Sequence, residues 1–295
     1  MNQLTNKTKW NKKAYLKYIS SLLLFGTNGI IASFILLPST SIVFLRAMIG
    51  SILLVLLFLL SKESFSFLKH RKDFLFTALS GIATAFSWSF LYEAYQQIGV
   101  SLATLLYYCG PVLVLAMSPF FFKEKITLQK IASIVIVLIG VYLINRGSIG
   151  TRTSFFGIFC GLMAALFYSF MVLFGKKSER ITGLEMSALQ LLFTFLSLSV
   201  FWFFTKGFTF DFTGGHPLPI ILLGLSTGIG CYLYFSPLND LPAQTIAISG
   251  YLEPLAAVLL SVLLLKETLF PLQILGAVLI IGGAILGEIK LNYRK

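Results

Sequence analysis

Charge is scarce in this chain: Asp, Glu, Lys and Arg make up 12% of its 295 residues, where an ordinary soluble domain carries about 25%. Eleven acidic residues, two histidines and three cysteines leave little material for a metal cluster, a disulfide framework or a catalytic constellation. No HExxH, GxGD, paired Asp-rich or Gly-rich phosphate-loop motif occurs, which argues against a membrane-embedded enzyme. With no nucleotide-binding domain, any transport has to be secondary, and no cofactor is implied. What the chain has in excess is apolar: 57% hydrophobic residues and a mean hydropathy of +0.88. That excludes a soluble globular domain. The formal charge of +12 does not signal nucleic acid, because the basic residues sit between apolar runs. Cys109, Cys160 and Cys231 fall inside such runs and read as small apolar side chains.

A helix of about 20 apolar residues crosses a bilayer core. Ten candidate spans follow: Tyr15 to Leu36, Ser39 to Leu60, Phe74 to Tyr95, Ser101 to Phe122, Leu128 to Ile144, Ser154 to Phe174, Leu184 to Phe204, Leu218 to Leu238, Ala243 to Leu265 and Phe270 to Gly287. The runs are continuous rather than alternating, so they predict helices and not barrel strands. The basic stretch Met1 to Lys17 leads into a long apolar run with more spans after it, and reads as a retained first helix rather than a cleaved signal. With the N-terminus in the cytoplasm, 18 of the 23 basic residues face inward, as the positive-inside rule requires. Arg146, Arg152, Lys206 and Lys266 face out, and Arg46 falls within a span. Both termini are then cytoplasmic, in a multi-pass protein of the cytoplasmic membrane.

An offset of 143 lays the second half over the first: Pro111 on Pro254, Lys123-Glu124 on Lys266-Glu267, and Gly140 on Gly283. The expected division is 1–147 and 148–295, five helices each. Because five is odd, the second half enters the membrane from the opposite face, so the repeats are inverted. Secondary transporters are built this way, around a site near the midplane.

The stretches "GVSLATLLYYCGPVLVLAMSPFFFKEKITLQKIASIVIVLIGVYLI" and "LPAQTIAISGYLEPLAAVLLSVLLLKETLFPLQILGAVLIIGGAIL" resemble the two EamA-type repeats of the drug/metabolite transporter superfamily. The resemblance covers nearly the whole chain. It implies a ten-helix, five-plus-five carrier that moves amino acids or other small metabolites, often outward. The second repeat follows the pattern more closely, with "LEP" at Leu252 to Pro254, Glu267, and "LGAVLIIGG" at Leu275 to Gly283. In the first repeat Gly110 stands at the "LEP" Glu position, and "FGTN" at Phe25 to Asn28 stands where a Trp-Gly-x-Asn pattern is common.

Charged groups within the hydrocarbon usually face a cavity. Arg46 lies about seven residues into its span, where its guanidinium could grip a substrate carboxylate in bidentate fashion or snorkel to the outer interface. Glu253 lies ten residues into its span, about 15 Å at the helical rise. It is either a proton-coupling carboxylate or a structural partner of a group such as Arg46. Pro111 and Pro254 are expected hinges. Trp88, Tyr92, Tyr107, Tyr108, Tyr168, Tyr232, Tyr234 and Tyr251 are aromatic binding candidates beside these breaks, with packing as the alternative for each. Asn28, Thr27 and Gln190 join them as polar candidates, with helix-to-helix hydrogen bonding as theirs. Glu93 reads as interfacial, Glu124 and Glu267 as caps or gating residues at helix ends, and Glu185 and Glu288 as span ends needing no role. Gly276, Gly282, Gly283 and Gly287 allow close helix packing, leaving the oligomeric state between a monomer and a weak homodimer.

The expected function is a secondary carrier for a small organic solute, an amino acid or related compound, alternating between the two membrane faces. The expected partners are membrane lipid, the solute and, through Glu253, protons. A membrane enzyme, a channel, and a carrier for sugars, nucleosides or drug-like amines are the alternatives. The orientation has a direct check: green fluorescent protein fused after Lys295 is expected to fluoresce, whereas alkaline phosphatase fused there is expected to be inactive. The opposite pair of results would place the C-terminus outside.

Overall fold

The computed structural model describes residues 11–61, 65–145, 154–206, 217–265 and 270–288. Every regular element among them is helical, as the absence of water from a bilayer core demands of apolar runs. The helices are α1 (Lys12–Ser33), α2 (Ser39–Ser61), α3 (Arg71–Ile98), α4 (Val100–Tyr107), α5 (Cys109–Phe122), α6 (Leu128–Asn145), α7 (Phe155–Lys177), α8 (Gly183–Lys206), α9 (Pro217–Phe235), α10 (Ala243–Ser249), α11 (Leu252–Leu265) and α12 (Pro271–Glu288). Among the described residues six stretches are long and apolar enough to cross a membrane: Thr40–Ser61, Arg71–Ile98, Leu102–Phe122, Phe155–Lys177, Gly183–Phe204 and Pro217–Asp240. The apolar cores of α6 and α12, Leu128–Ile144 and Pro271–Gly287, are shorter.

Two of the runs read as single spans are broken. The first breaks at Tyr108, between α4 and α5, and the second at Gly250 and Tyr251, between α10 and α11. Each break lies three to four residues before a proline. Pro111 and Pro254 have no N–H to donate, and each ring clashes with the carbonyl four residues back, which belongs to Tyr107 or Gly250. The helix therefore yields one turn upstream of the proline rather than at it.

The two breaks meet. The Tyr251 hydroxyl donates to the Tyr108 carbonyl at 2.8 Å, and the two rings lie 6.1 Å apart. These residues are 143 apart, the offset found in the sequence. The α6–α12 contact obeys the same offset. A Cβ on Gly140 would fall 2.6 Å from the Gly276 carbonyl oxygen, and one on Gly276 would fall 2.6 Å from the Gly140 oxygen. Shifted by 143, that pair becomes Ser133 and Gly283, where the Ser133 hydroxyl donates to the Gly283 carbonyl at 2.7 Å. Around this centre α3 packs on α7 and α8, while α9 packs on α1 and α2. Each of these contacts maps onto its counterpart under the shift.

Side chains at Gly140 and Gly276 are excluded by backbone, which cannot yield as a flexible side chain could. Gly276→Leu is expected to destabilise the fold by about 1–3 kcal/mol or more through overpacking. The check is the melting temperature in detergent. Gly282→Leu, whose Cβ would meet nothing within 4 Å, is expected to leave it unchanged.

Candidate functional site

Two half-buried charges, Arg46 and Glu253, lie within the bundle. Arg46, on α2, lays its guanidinium carbon 4.0 Å from the centre of the Trp88 ring on α3, a cation–π contact that strengthens away from water. The Arg46 Nε is buried and has no hydrogen-bond partner among the described residues. Glu253 occupies the first turn of α11, directly after the second break. It is half-buried, and Arg46 lies within electrostatic reach of it. No hydrogen bond or ion pair joins the two among the described residues.

Tyrosines fill the space around them. Tyr107, at the last turn of α4, stands edge-on to Tyr168 with ring centres 5.3 Å apart. The Tyr168 and Tyr234 hydroxyls share a hydrogen bond of 3.2 Å, and Tyr234 lies 5.1 Å from the Tyr18 ring. Tyr18 donates its hydroxyl to the Ile246 carbonyl at 2.9 Å. Tyr18, Tyr95, Tyr107, Tyr108 and Tyr168 all lie within electrostatic reach of Glu253. Arg46 also reaches Tyr95, Tyr107 and Cys231. Arg46, Trp88, Tyr107, Tyr168, Tyr234 and Glu253 thus form one constellation drawn from α2, α3, α4, α7, α9 and α11.

Other candidates sit elsewhere or are bound to neighbours. The Tyr251 hydroxyl and the Tyr108 carbonyl are joined to each other. Asn28 accepts a 2.9 Å hydrogen bond from Ser226 across α1 and α9, and Thr27 bonds back to the Leu24 carbonyl at 2.6 Å. Gln190, fully buried, donates to Thr84 at 2.6 Å. Tyr92 packs with the cluster around Phe44 and Trp202. Tyr232 lies under Lys17, whose ammonium is 5.0 Å from the ring centre and donates to its hydroxyl at 3.4 Å. Glu93 accepts from Gln97 one turn on, at 2.9 Å. Glu185 is more than a span end, since its carboxylate accepts the Phe67 N–H at 2.9 Å and pins the turn before α3. Lys266 and Glu267 lie outside the described residues, as does the Glu288 side chain.

Tyr18 and Tyr95 lie beside the constellation, within electrostatic reach of Glu253, and are absent from the candidates read in the sequence. Tyr95 carried a signal: Trp88, Tyr92 and Tyr95 recur at the four-then-three spacing of one helix face. Tyr18 carried none, lying among the lysines that open α1. A separate recess of about 410 Å³ lies at the start of α3 and the end of α7, lined by Lys69, Arg71, Lys72, Lys177 and Arg180 with Asp73 and Glu179. It is a loop surface distinct from the buried charges.

Comparison with known proteins agrees with this architecture. The chain is 30% identical over 287 residues to YxxF of Bacillus subtilis, an uncharacterized transporter, covering 96% of this chain and 92% of that protein. It is 26% identical over 293 residues to YetK of the same organism, also an uncharacterized transporter, covering 94% and 87%. A solved structure described only as a crystal structure of a protein superposes with a TM-score of 0.79 over 93% of this chain and 96% of that one, at 18% identity, a likeness of fold. The profile of the EamA-like transporter family matches twice, over residues 12–146 and again over 155–287. The chain belongs to the EamA-like transporter family.

Proposed function

We propose that this protein is a secondary active carrier that exports a small zwitterionic solute, an amino acid or related compound, across the cytoplasmic membrane by alternating access. The observation that carries the reading is the placement of Arg46 and Glu253. Opposite charges stand within electrostatic reach on α2 and α11, with no ion pair between them and aromatic rings around both. A carboxylate suits the guanidinium, which can offer two parallel N–H donors. An ammonium suits Glu253. The faces of Trp88, Tyr107 and Tyr168 suit an apolar or aromatic side chain between those ends. Partial burial of the two groups strengthens their attraction for an opposite charge relative to open water.

Several features support two inverted halves of five membrane-crossing helices each, the first over 1–147 and the second over 148–295. The family profile matches once in each half. The Tyr251–Tyr108 link and the Gly140–Gly276 and Ser133–Gly283 contacts follow one offset. In such carriers the site lies between the halves at the midplane, and rocking exposes it to either side. The basic-residue asymmetry supports cytoplasmic termini. Glu253, the one carboxylate in the constellation, would take up a proton in exchange for the solute.

The purified protein is expected to gain thermal stability with one chemical class in a panel of amino acids, amines, sugars and nucleosides. A ligand at a hundredfold excess over Kd contributes about 2.7 kcal/mol. The gain should vanish in Arg46→Ala and shrink in Arg46→Lys, which cannot form the bidentate pair. A folded Arg46→Ala that keeps the full shift with amino acids would make Arg46 structural. In reconstituted vesicles Glu253→Gln is expected to transport weakly, having lost the anion that pairs with the ammonium, and without responding to a pH gradient; an unchanged response would remove the proton role.

A further inference from the structure

Glu124 joins the two halves in an unusual way. One of its carboxylate oxygens accepts the Ala243 N–H at 2.9 Å and the other the Gln244 N–H at 3.2 Å. These are the first two backbone donors of α10, which no earlier turn of that helix can satisfy, and Pro242 before them has no side chain able to cap. Lys123, with φ at 55°, is the only non-glycine residue with positive φ among the described residues. It ends α5 in the left-handed region and turns the chain toward α10. Gln244 is itself 1% exposed. Its amide donates to Ser118 at 3.0 Å and to the Lys125 carbonyl at 3.3 Å, and accepts from Lys130. From α7, Lys177 donates to the Phe121 carbonyl at 3.2 Å and Lys176 to the Leu241 carbonyl. This end of the bundle is sewn shut.

The opposite end, related by the same offset of 143, shows no such network among the described residues, which do not include Glu267, the counterpart of Glu124. Ala243 corresponds to Val100 and the α5–α10 contact to one between α11 and α4. Ala243 is 0% exposed and Val100 62%. Thr104 is half-buried where its counterpart Ala247 is fully buried. The helices α5 and α10 pack together, whereas α4 leans on α7 and α3 and has no comparable contact with α11 among the described residues.

We infer that Glu124 is the latch of a gate: its grip on the backbone of α10 holds the end of the carrier that bears the α5–α6 turn closed while the other end stands open. This rests on the reading of two inverted halves. On the proposed orientation the latched end is cytoplasmic and the conformation faces outward. Two backbone hydrogen bonds to a carboxylate suit such a latch, since they hold a defined geometry without a second charge to be desolvated.

The test uses the full chain in native membrane vesicles of both orientations, with Cys109→Ser, Cys160→Ala and Cys231→Ala removing the native thiols. Single reporters, Ser118→Cys at the latched end and Thr104→Cys at the open end, are treated with a membrane-impermeant maleimide from each side. With Glu124 intact, the Thr104→Cys reporter is expected to react and the Ser118→Cys reporter to be protected. Glu124→Ala should raise Ser118→Cys labelling about fivefold, the population change that losing a typical helix cap produces. Glu124→Gln, which keeps one acceptor oxygen, should raise it less, and it decides the matter if Glu124→Ala does not fold. Unchanged Ser118→Cys labelling in a folded Glu124→Gln or Glu124→Ala overturns the latch. A rise at Ser118→Cys with a fall at Thr104→Cys supports both the latch and alternating access. A rise at Ser118→Cys with Thr104→Cys unchanged supports the latch and overturns the coupling of the two ends, so the two readings fail separately.

Discussion

Backbone polarity is the constraint on which the rest of this structure depends. In an apolar surrounding every freed carbonyl must find a donor, yet two of the helices here are interrupted by proline. The interruptions are tolerable because they lie together at the centre of the bundle, where a tyrosine from one serves the other. Central placement brings a second effect. A helix that ends inside the bundle presents side chains and a half-formed turn to the interior, so the breaks create the polar environment in which Glu253 and Arg46 can reside.

The same constraint accounts for the neighbours of those two charges. Tyrosine is the side chain that fills apolar space and still offers a hydroxyl, and the hydroxyls here are engaged with one another or with carbonyls exposed by the breaks. The guanidinium of Arg46 instead rests its face on an indole, and its Nε has no hydrogen-bond partner among the described residues. A cation held by a ring face and not by an anion keeps its capacity for bidentate recognition.

Much of this was readable from residue order, because hydropathy sets where helices can lie and proline sets where they yield. The positions of α2, α7 and α8 follow their apolar runs to within a residue or three, and the offset of 143 is printed in Pro111 and Pro254. Side-chain partnerships were not readable. Asn28 and Ser226, or Gln190 and Thr84, lie far apart in the chain, and only packing decides which polar groups satisfy each other. Glu124 was legible as a cap or gating residue, but not that the helix it caps lies 119 residues away. A carboxylate after a left-handed residue ordinarily serves the next helix, and here the turn at Lys123 points it across to the other half.

Gly110 stands where the offset would place a second Glu253, and a Cβ there would fall 2.6 Å from the Tyr168 ring. Two identical five-helix chains paired about a two-fold axis would bring two carboxylates to the centre or none, and two like charges in so dry a place repel strongly. A single chain is free of that restriction. At this position Glu253 supplies the acid, while Gly110 gives up its side chain to make room for an aromatic ring. One ionisable group then stands where the offset would place two.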